Sequence, residues 1–343
     1  MPRRALWKRA WKPLAALIFL ALALDYTLYP RFGTRAPQIN AKRNALWLHF
    51  DWARGKSSES VRSLAARMKA NGLRDAYFHV RYIGKSGRLR FRDPKAARRL
   101  NAEMKVAAPG VRRIAWLYIG NARGITGVDI SKPEIRANIA HETGFLTRDC
   151  GFDGVQIDYE ICADGDRDFL LLLREIRAAT PGKVLCVATP MWLPAPLGIS
   201  LGAWGWSENY FAQVAQGCDQ IVVMAYDSAL YFPRHYVWLI EQQVVRVPRA
   251  AKGANPNCEV LLGVPSYEEG GPSHWNGAEN LAMAMRGARQ AWTRNPKNQR
   301  LDGIALFADY STDQGEWEVW RRSFTPSSNP RHFHELRKVP NTF

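Results

Sequence analysis

The decapeptide GFDGVQIDYE, residues 151–160, spaces Gln156, Asp158 and Glu160 two residues apart. In an extended strand that spacing sets all three on one face. If the face is interior, two buried acids are costly unless they are hydrogen-bonded or share a proton. A purely structural strand would carry Val, Ile or Leu there. A carboxyl pushed up by burial keeps its proton near neutrality and serves as a general acid, and a second carboxyl beside it orients or stabilises the reacting group. A single acid at a strand end is as readily a helix cap or an ion-pair partner; two on one interior face point to chemistry.

Eight strand-like runs provide the scaffold: Ala45–Trp52, Asp75–Tyr82, Arg113–Gly120, Gly154–Glu160, Lys183–Pro190, Gln220–Asp227, Glu259–Tyr267 and Gly303–Tyr310. Several are β-branched and apolar on both faces, as buried parallel strands are. Helical stretches lie between most of them. Ser60–Ala70 sets Val61, Leu64, Ala65 and Met68 on one face and stops at Asn71-Gly72; Asp168–Ala179 and Ala278–Trp292 are two more. Eight strand–helix units with nothing left over predict an α/β protein with a (β/α)8 TIM barrel. No Gly-x-Gly-x-x-Gly follows the first strand, so dinucleotide binding has no support. Active sites of such barrels lie at the C-terminal strand ends. Those ends read Asp51 and Trp52, Arg81 and Tyr82, Tyr118, Asp158 and Glu160, Pro190 and Met191, Tyr226 and Asp227, Tyr267, and Asp309 with Tyr310.

On these residues the chain resembles glycoside hydrolase family 18, the chitinase-like barrels. DGVQIDYE is similar to the family's D-G-x-D-x-D-x-E on strand four, with Asp153, Gly154, Asp158 and Glu160 matching and Gln156 in place of the middle Asp. Met224-Ala225-Tyr226-Asp227 resembles its M-x-Y-D on strand six, and Leu262-Gly263-Val264-Pro265-Ser266-Tyr267 its L-G-x-P-x-Y on strand seven. The resemblance covers roughly residues 44–325. It implies Glu160 as the general acid, Asp158 as the residue that orients and polarises the substrate's N-acetyl group, and Tyr226 with Asp227 holding that group. The acetamide oxygen itself attacks the anomeric carbon, so configuration is retained without a protein nucleophile. The implied substrate is a β-linked glycan containing N-acetylglucosamine, and no metal or cofactor is implied. Gln156, Asp153, Tyr267, Met224, Trp192, Phe307 and Tyr310 complete the expected substrate-binding set. Gln156 cannot share an acidic proton, so its amide is expected to donate to an ionised Asp158. Strand eight lacks the family's Trp, and Phe307 or Tyr310 is the expected floor beneath the sugar.

Trp192, Trp204 and Trp206 lie in a Pro/Gly-rich insertion after strand five, read either as sugar-stacking platforms or as a hydrophobic lid; Trp275 sits beside His274 in the loop after strand seven. His49 and His79 fall inside strand runs and read as core histidines. Two alternatives to a substrate-assisted hydrolase remain at this point. One is a catalytically silent glycan-binding barrel; the other is a glycosidase pairing Glu160 with Asp227, Glu268 or Asp309.

The 343-residue chain carries a net charge of +17, which favours anionic surroundings such as phospholipid headgroups. With no zinc-finger spacing, RNP-type aromatics or basic reading helix, nucleic acid is not an expected partner. Residues 1–12 are a basic segment with Arg3, Arg4, Lys8, Arg9 and Lys12. Residues 13–29 form an apolar segment, 30–43 a tether with Arg31, Arg35, Lys42 and Arg43, 44–325 the barrel, and 326–343 a basic tail. Pro13–Tyr29 fits a secretory segment, with Ala21-Leu22-Ala23 as a cleavage site or, flanked by Trp7, Trp11, Tyr26 and Tyr29, an uncleaved membrane anchor. The expectation is an exported protein anchored on the outer or periplasmic side, with release after cleavage as the alternative. Of Cys150, Cys162, Cys186, Cys218 and Cys258, the pair Cys218 and Cys258 open adjacent strands and read either as a disulfide or as buried thiols.

Overall fold

All eight strand runs pair as the alternation requires. In the computed structural model, which describes residues 3–31, 39, 43–57, 59–121, 126–194, 205–294 and 300–324, eight parallel strands close into one barrel. They are β1 (Asn44–Leu48), β2 (Leu73–Tyr82), β3 (Arg112–Gly120), β4 (Gly154–Glu160), β5 (Val184–Thr189), β6 (Gln220–Met224), β7 (Glu259–Pro265) and β8 (Gly303–Phe307). Hydrogen bonding runs β1-β8-β7-β6-β5-β4-β3-β2 and back to β1. The side chains of residues 3–10, Trp7 among them, lie outside the described residues. So do Arg35, Lys42, Trp204 and the tail 326–343.

Helix α1 (Arg3–Leu28) precedes the barrel, and α2 (Val61–Ala70), α3 (Pro94–Ala107), α4 (Pro133–Arg148), α5 (Arg167–Ala179), α6 (Glu208–Gly217), α7 (Pro233–Ala254), α8 (Leu281–Arg294) and α9 (Gln314–Ser323) surround it. The Ser60 hydroxyl caps α2 through the Ser63 N–H, and Asp166 caps α5 through the Phe169 N–H. Proline opens α3, α4 and α7, where its missing N–H costs nothing and its fixed φ suits a first turn. Residues 314–323, within the predicted barrel range, form the last helix. An Asp313–Glu316 capping box starts α9, and Trp317 and Trp320, three residues apart, are buried on one face.

Three strands stop three or more residues short of the predicted runs. Beyond Leu48 the chain turns, with Trp52 N–H bonding His49 O and Gly55, at φ +63°, bonding Trp52 O. His49 therefore sits in a half-exposed turn rather than in the core. Strand β6 ends at Met224 and β8 at Phe307, so Tyr226, Asp227, Asp309 and Tyr310 stand on mouth loops. The insertion after β5 is better packed than expected. Met191–Trp192 pairs with Gly205–Trp206, and both Trp side chains are buried. Trp206 packs on Phe169, Tyr210 and Phe211, while Trp192 lies under the Arg246 guanidinium.

The barrel interior is layered. At its foot Asp75, fully buried, accepts from Arg43, Arg112 and Gln220, and the Tyr77 hydroxyl donates to Gln220. Trp47, Gln156 and Cys186 fill the middle, and Trp116, Asp158 and Tyr226 the top. Asp75→Ala removes the fully buried counter-charge of two guanidinium groups and leaves them the partly exposed Glu259. It is expected to cost on the order of 3–5 kcal/mol in urea unfolding; a loss below about 1 kcal/mol removes the network from the fold's stabilising contacts.

The remaining sequence readings concern cysteine and the N-terminus. All five cysteines are buried free thiols, and those of Cys218 and Cys258 lie within hydrogen-bonding reach of each other. By length and composition Trp11–Arg31 suffices to cross a membrane, and it is almost entirely exposed.

Candidate active site

Strand β4 carries the acids, and its close fit to β5 explains the glycine before them. A Cβ at Gly154 would lie 2.2 Å from the Val184 carbonyl oxygen. Strand alternation then points Gln156, Asp158 and Glu160 into the barrel at rising heights. Asp158 is 4 % exposed, and its Oδ2 accepts the Trp116 indole N–H at 2.8 Å. Its Oδ1 is buried and has no hydrogen-bond partner among the described residues.

Burial, with the Glu160 carboxyl beside it, pushes Asp158 well above the usual carboxylate range, against the Trp116 hydrogen bond. Burial also raises Glu160, opposed by a hydrogen bond from Tyr118 and aided by Asp227. Burial therefore favours the protonated form of each acid at pH values where free carboxyls are ionised. One expectation about Asp158 is corrected. The Gln156 amide does not donate to it: Gln156 Nε2 meets Cys186 Sγ at 3.2 Å, and Gln156 Oε1 accepts Trp47 Nε1 at 2.7 Å.

Around the acids lies a cleft of about 690 Å³, lined by Trp47, Trp116, Tyr118, Met224, Tyr226, Asp227, Tyr267, Phe307 and Tyr310 among others. Trp47 meets Trp116 edge-on, and the Tyr226 ring stacks on Phe307 at 5.0 Å. Burial holds the Tyr226 phenol well above its usual pKa, so it stays a neutral donor. Tyr267 donates to Asp227 Oδ1 at 2.9 Å. Glu268, Glu269, Asp313 and Glu316 add acids along the rim, and burial raises Glu316 to about 7.

The structure thus gathers Glu160, Asp158, Tyr226, Asp227, Tyr267, Met224, Phe307 and Tyr310 in one cleft. It does not bring the other three there. Asp153 sits at the opposite end of β4, held by the backbone N–H and guanidinium of Arg113 at the barrel's foot. Gln156 lies beneath the cleft floor, and Trp192 is packed against α7 through Gln243 and Arg246. Asp309 also turns away: its oxygens accept from His49 N and Trp52 Nε1 on the loop after β1. His79, buried beside Trp116 and lowered to about 4, is a neutral stacking partner.

One brace was invisible in the sequence. Asp227 adopts φ +56°, a left-handed conformation that Asp tolerates better than most residues. Buried Glu279, in the turn before α8, accepts the N–H groups of Asp227 and Ser228, the Ser228 hydroxyl and, at 2.9 Å, His274 Nδ1. Asp227, His274 and Glu279 offer ligand atoms within 4.8 Å of one another. Four donors already occupy the Glu279 lone pairs, so the cluster reads as a hydrogen-bonded clamp on the Tyr226–Asp227 loop. Glu279→Ala leaves those donors buried and unpaired. A loss of about 3 kcal/mol in thermal unfolding is expected, together with reduced turnover; unchanged stability removes the clamp.

Comparison with solved structures places the architecture. The spore cortex-lytic enzyme SleL of Bacillus cereus superposes with a TM-score of 0.56 at 13% identity, over 85% of this chain and 76% of that one. A chitinase from Bacteroides thetaiotaomicron gives 0.59 at 14%, over 86% and 100%. A mutant plant class V chitinase from Cycas revoluta, solved with (GlcNAc)3, gives 0.56 at 15%, over 82% and 99%. No family model matches the sequence. The chain has the chitinase-type (β/α)8 barrel fold.

Proposed function

We propose that this barrel hydrolyses β-linked glycans containing N-acetylglucosamine by a retaining, substrate-assisted mechanism. The observation that carries the reading is Asp158: buried, with the Glu160 carboxyl near it, and presenting an Oδ1 unpartnered among the described residues beside the neutral Tyr226 phenol. An acetamide group supplies what that site lacks. Its N–H gives the Oδ1 a donor, and its carbonyl accepts from Tyr226. Asp158 accepts the N–H as a carboxylate, and Glu160, kept protonated by burial, gives its proton to the glycosidic oxygen. The acetamide oxygen attacks the anomeric carbon as the leaving group departs, and Asp158 stabilises the resulting oxazolinium. Water then opens that ring with Glu160, now a carboxylate, as base.

The lining supports a neutral substrate. Among the described lining residues, Asp158, Glu160, Asp227, Glu268, Glu269, Asp313 and Glu316 are acidic and none is Lys, Arg or His. The chain's positive charge therefore lies elsewhere. An anionic sugar in this cleft would meet like charge.

Glu160 is active as the protonated acid, and its pKa is raised. The catalytic rate is therefore full below that pKa and falls as pH rises through it. The expected pH profile of kcat/KM on N-acetylglucosamine oligomers has its basic limb above the usual glutamate range. A cyclic thiazoline of N-acetylglucosamine, which imitates the oxazolinium, is expected to inhibit competitively. A profile that only rises toward alkaline pH, or no inhibition by the thiazoline, sinks the mechanism. Asp227 is held by Tyr267 and through its backbone by Glu279, which favours a positioning role over that of a second nucleophilic carboxylate.

A further inference from the structure

The end of α1 is not free; it is seated on the barrel. The Trp275 indole donates to the Tyr26 hydroxyl at 2.8 Å, and Tyr26 meets Phe232 edge-on. Asp25 pairs with Arg234, and Arg286 lies against the Tyr29 ring and donates to its carbonyl. Phe232 and Trp275 belong to the loops that follow β6 and β7, which are mouth loops. Tyr29 lies at α8 near the mouth, and Ile39 bridges to Phe324 past the C-terminal end of α9 at the foot. The apolar length from Trp11 to Leu24, about 20 Å of helix, therefore projects on the side of the mouth.

The exposed aromatics gather at the same end. Outside α1, the exposed large hydrophobics among the described residues are Phe91, Tyr231, Trp238, Trp275 and Tyr310, with Leu171 and Val106. Phe91, Tyr231, Trp275 and Tyr310 stand on the loops after β2, β6, β7 and β8, and Trp238 on the second turn of α7. Tyr310 lines the cleft, where a sugar would use it. Tyr231 and Trp275 lie with their rings 6.0 Å apart, next to Tyr26 on α1. Apolar rings with one polar end, beside an apolar helix, match the headgroup layer of a bilayer.

We infer that the mouth of this barrel faces the lipid bilayer, with Tyr231, Trp238 and Trp275 seated at headgroup depth around α1, so that the cleft takes glycan held close to the membrane surface. This rests on α1 being retained as an anchor, and it narrows the proposed substrate to membrane-proximal strands. A soluble, freely diffusing enzyme would gain nothing from half-exposed Tyr and Trp beside a spanning helix.

Amide hydrogen exchange of the full chain in phosphatidylcholine–phosphatidylglycerol vesicles tests the placement. Residues 228–235 and 270–278 are expected to exchange several-fold more slowly in vesicles than in detergent, while residues 108–112 and 255–258 at the foot are unchanged. The double variant Tyr231→Ser, Trp238→Ser keeps Trp275 against Tyr26. It should still float with the vesicles yet lose that slowing. Protection at the foot, at neither end, or equally in the variant overturns the inference, as does recovery of a soluble chain beginning after Ala23. None of these readings requires turnover, so a failed seating leaves the hydrolase proposal standing, and a failed hydrolase assay leaves the seating standing.

Discussion

Glu160→Gln is expected to lower turnover of N-acetylglucosamine oligomers by about 10²–10⁴-fold, the usual contribution of a positioned general acid. Gln fills the same volume and can accept from Tyr118, but it has no acidic proton for the leaving oxygen. The loss should fall on kcat with KM little changed, because the proton is needed only in the transition state. An aryl glycoside whose leaving group departs without protonation should recover part of the rate. Equal activity of variant and wild type moves the acid to another residue. Equal inactivity of both, with retained sugar binding in calorimetry, selects a silent glycan-binding barrel.

Asp158→Asn separates catalysis from folding. Asn can still accept from Trp116 but cannot carry the charge that stabilises the oxazolinium, so a further loss of about 10²–10³-fold is expected by analogy with removal of a preorganised electrostatic group. Stability should move the other way. The folded pKa of Asp158 lies above its unfolded value, so its neutral form favours folding below the unfolded pKa. That contribution is lost as pH rises through the folded pKa. At neutral pH the wild type bears the cost of a buried acid and the Asn variant does not. Thermal unfolding should show the variant at least as stable as wild type near pH 7, with a smaller decline between pH 4 and 8. A variant that is both active and less stable contradicts the assigned environment of Asp158.

How much of this was legible in the residues follows from which physics is local. Strand runs and the inward face of Gln156, Asp158 and Glu160 follow from period-two alternation, and the barrel from eight repeats. The strand ends were overestimated because His49–Trp52 and Ala225–Asp227 carry strand-favouring aromatics, yet the chain turns there, at Asp227 through a left-handed conformation. Helices α3, α4 and α7 each open on a first-turn proline, and α3 adds the Asp93 cap. Trp192 and Trp206 read as irregular because their partners, Gln243 and Phe211, lie on helices that close over the insertion.

The site divides in the same way. Motif spacing located Glu160, Asp158, Tyr226 and Tyr267, but the role of Gln156 depended on partners from β1 and β5, Trp47 and Cys186. It donates to a sulfur and accepts from an indole, so it seals the floor and leaves Asp158 to Trp116 and Glu160. Glu279 carries no local signal, since it falls inside the run read as the start of a helix and reaches across the loop to Asp227. Asp153, by contrast, belongs to the motif yet serves the barrel's foot through Arg113.

In the proposed mechanism the substrate's acetamide, and no protein carboxylate, attacks the anomeric carbon while Glu160 gives the proton. Time-resolved proton NMR of N-acetylglucosamine oligomer cleavage, with and without the N-acetyl group on the sugar at the scissile bond, addresses it directly. The account predicts β-anomer as the first product from the acetylated oligomer and no cleavage when that acetyl group is missing. An α-anomer formed first, or equal cleavage of the deacetylated oligomer, contradicts it.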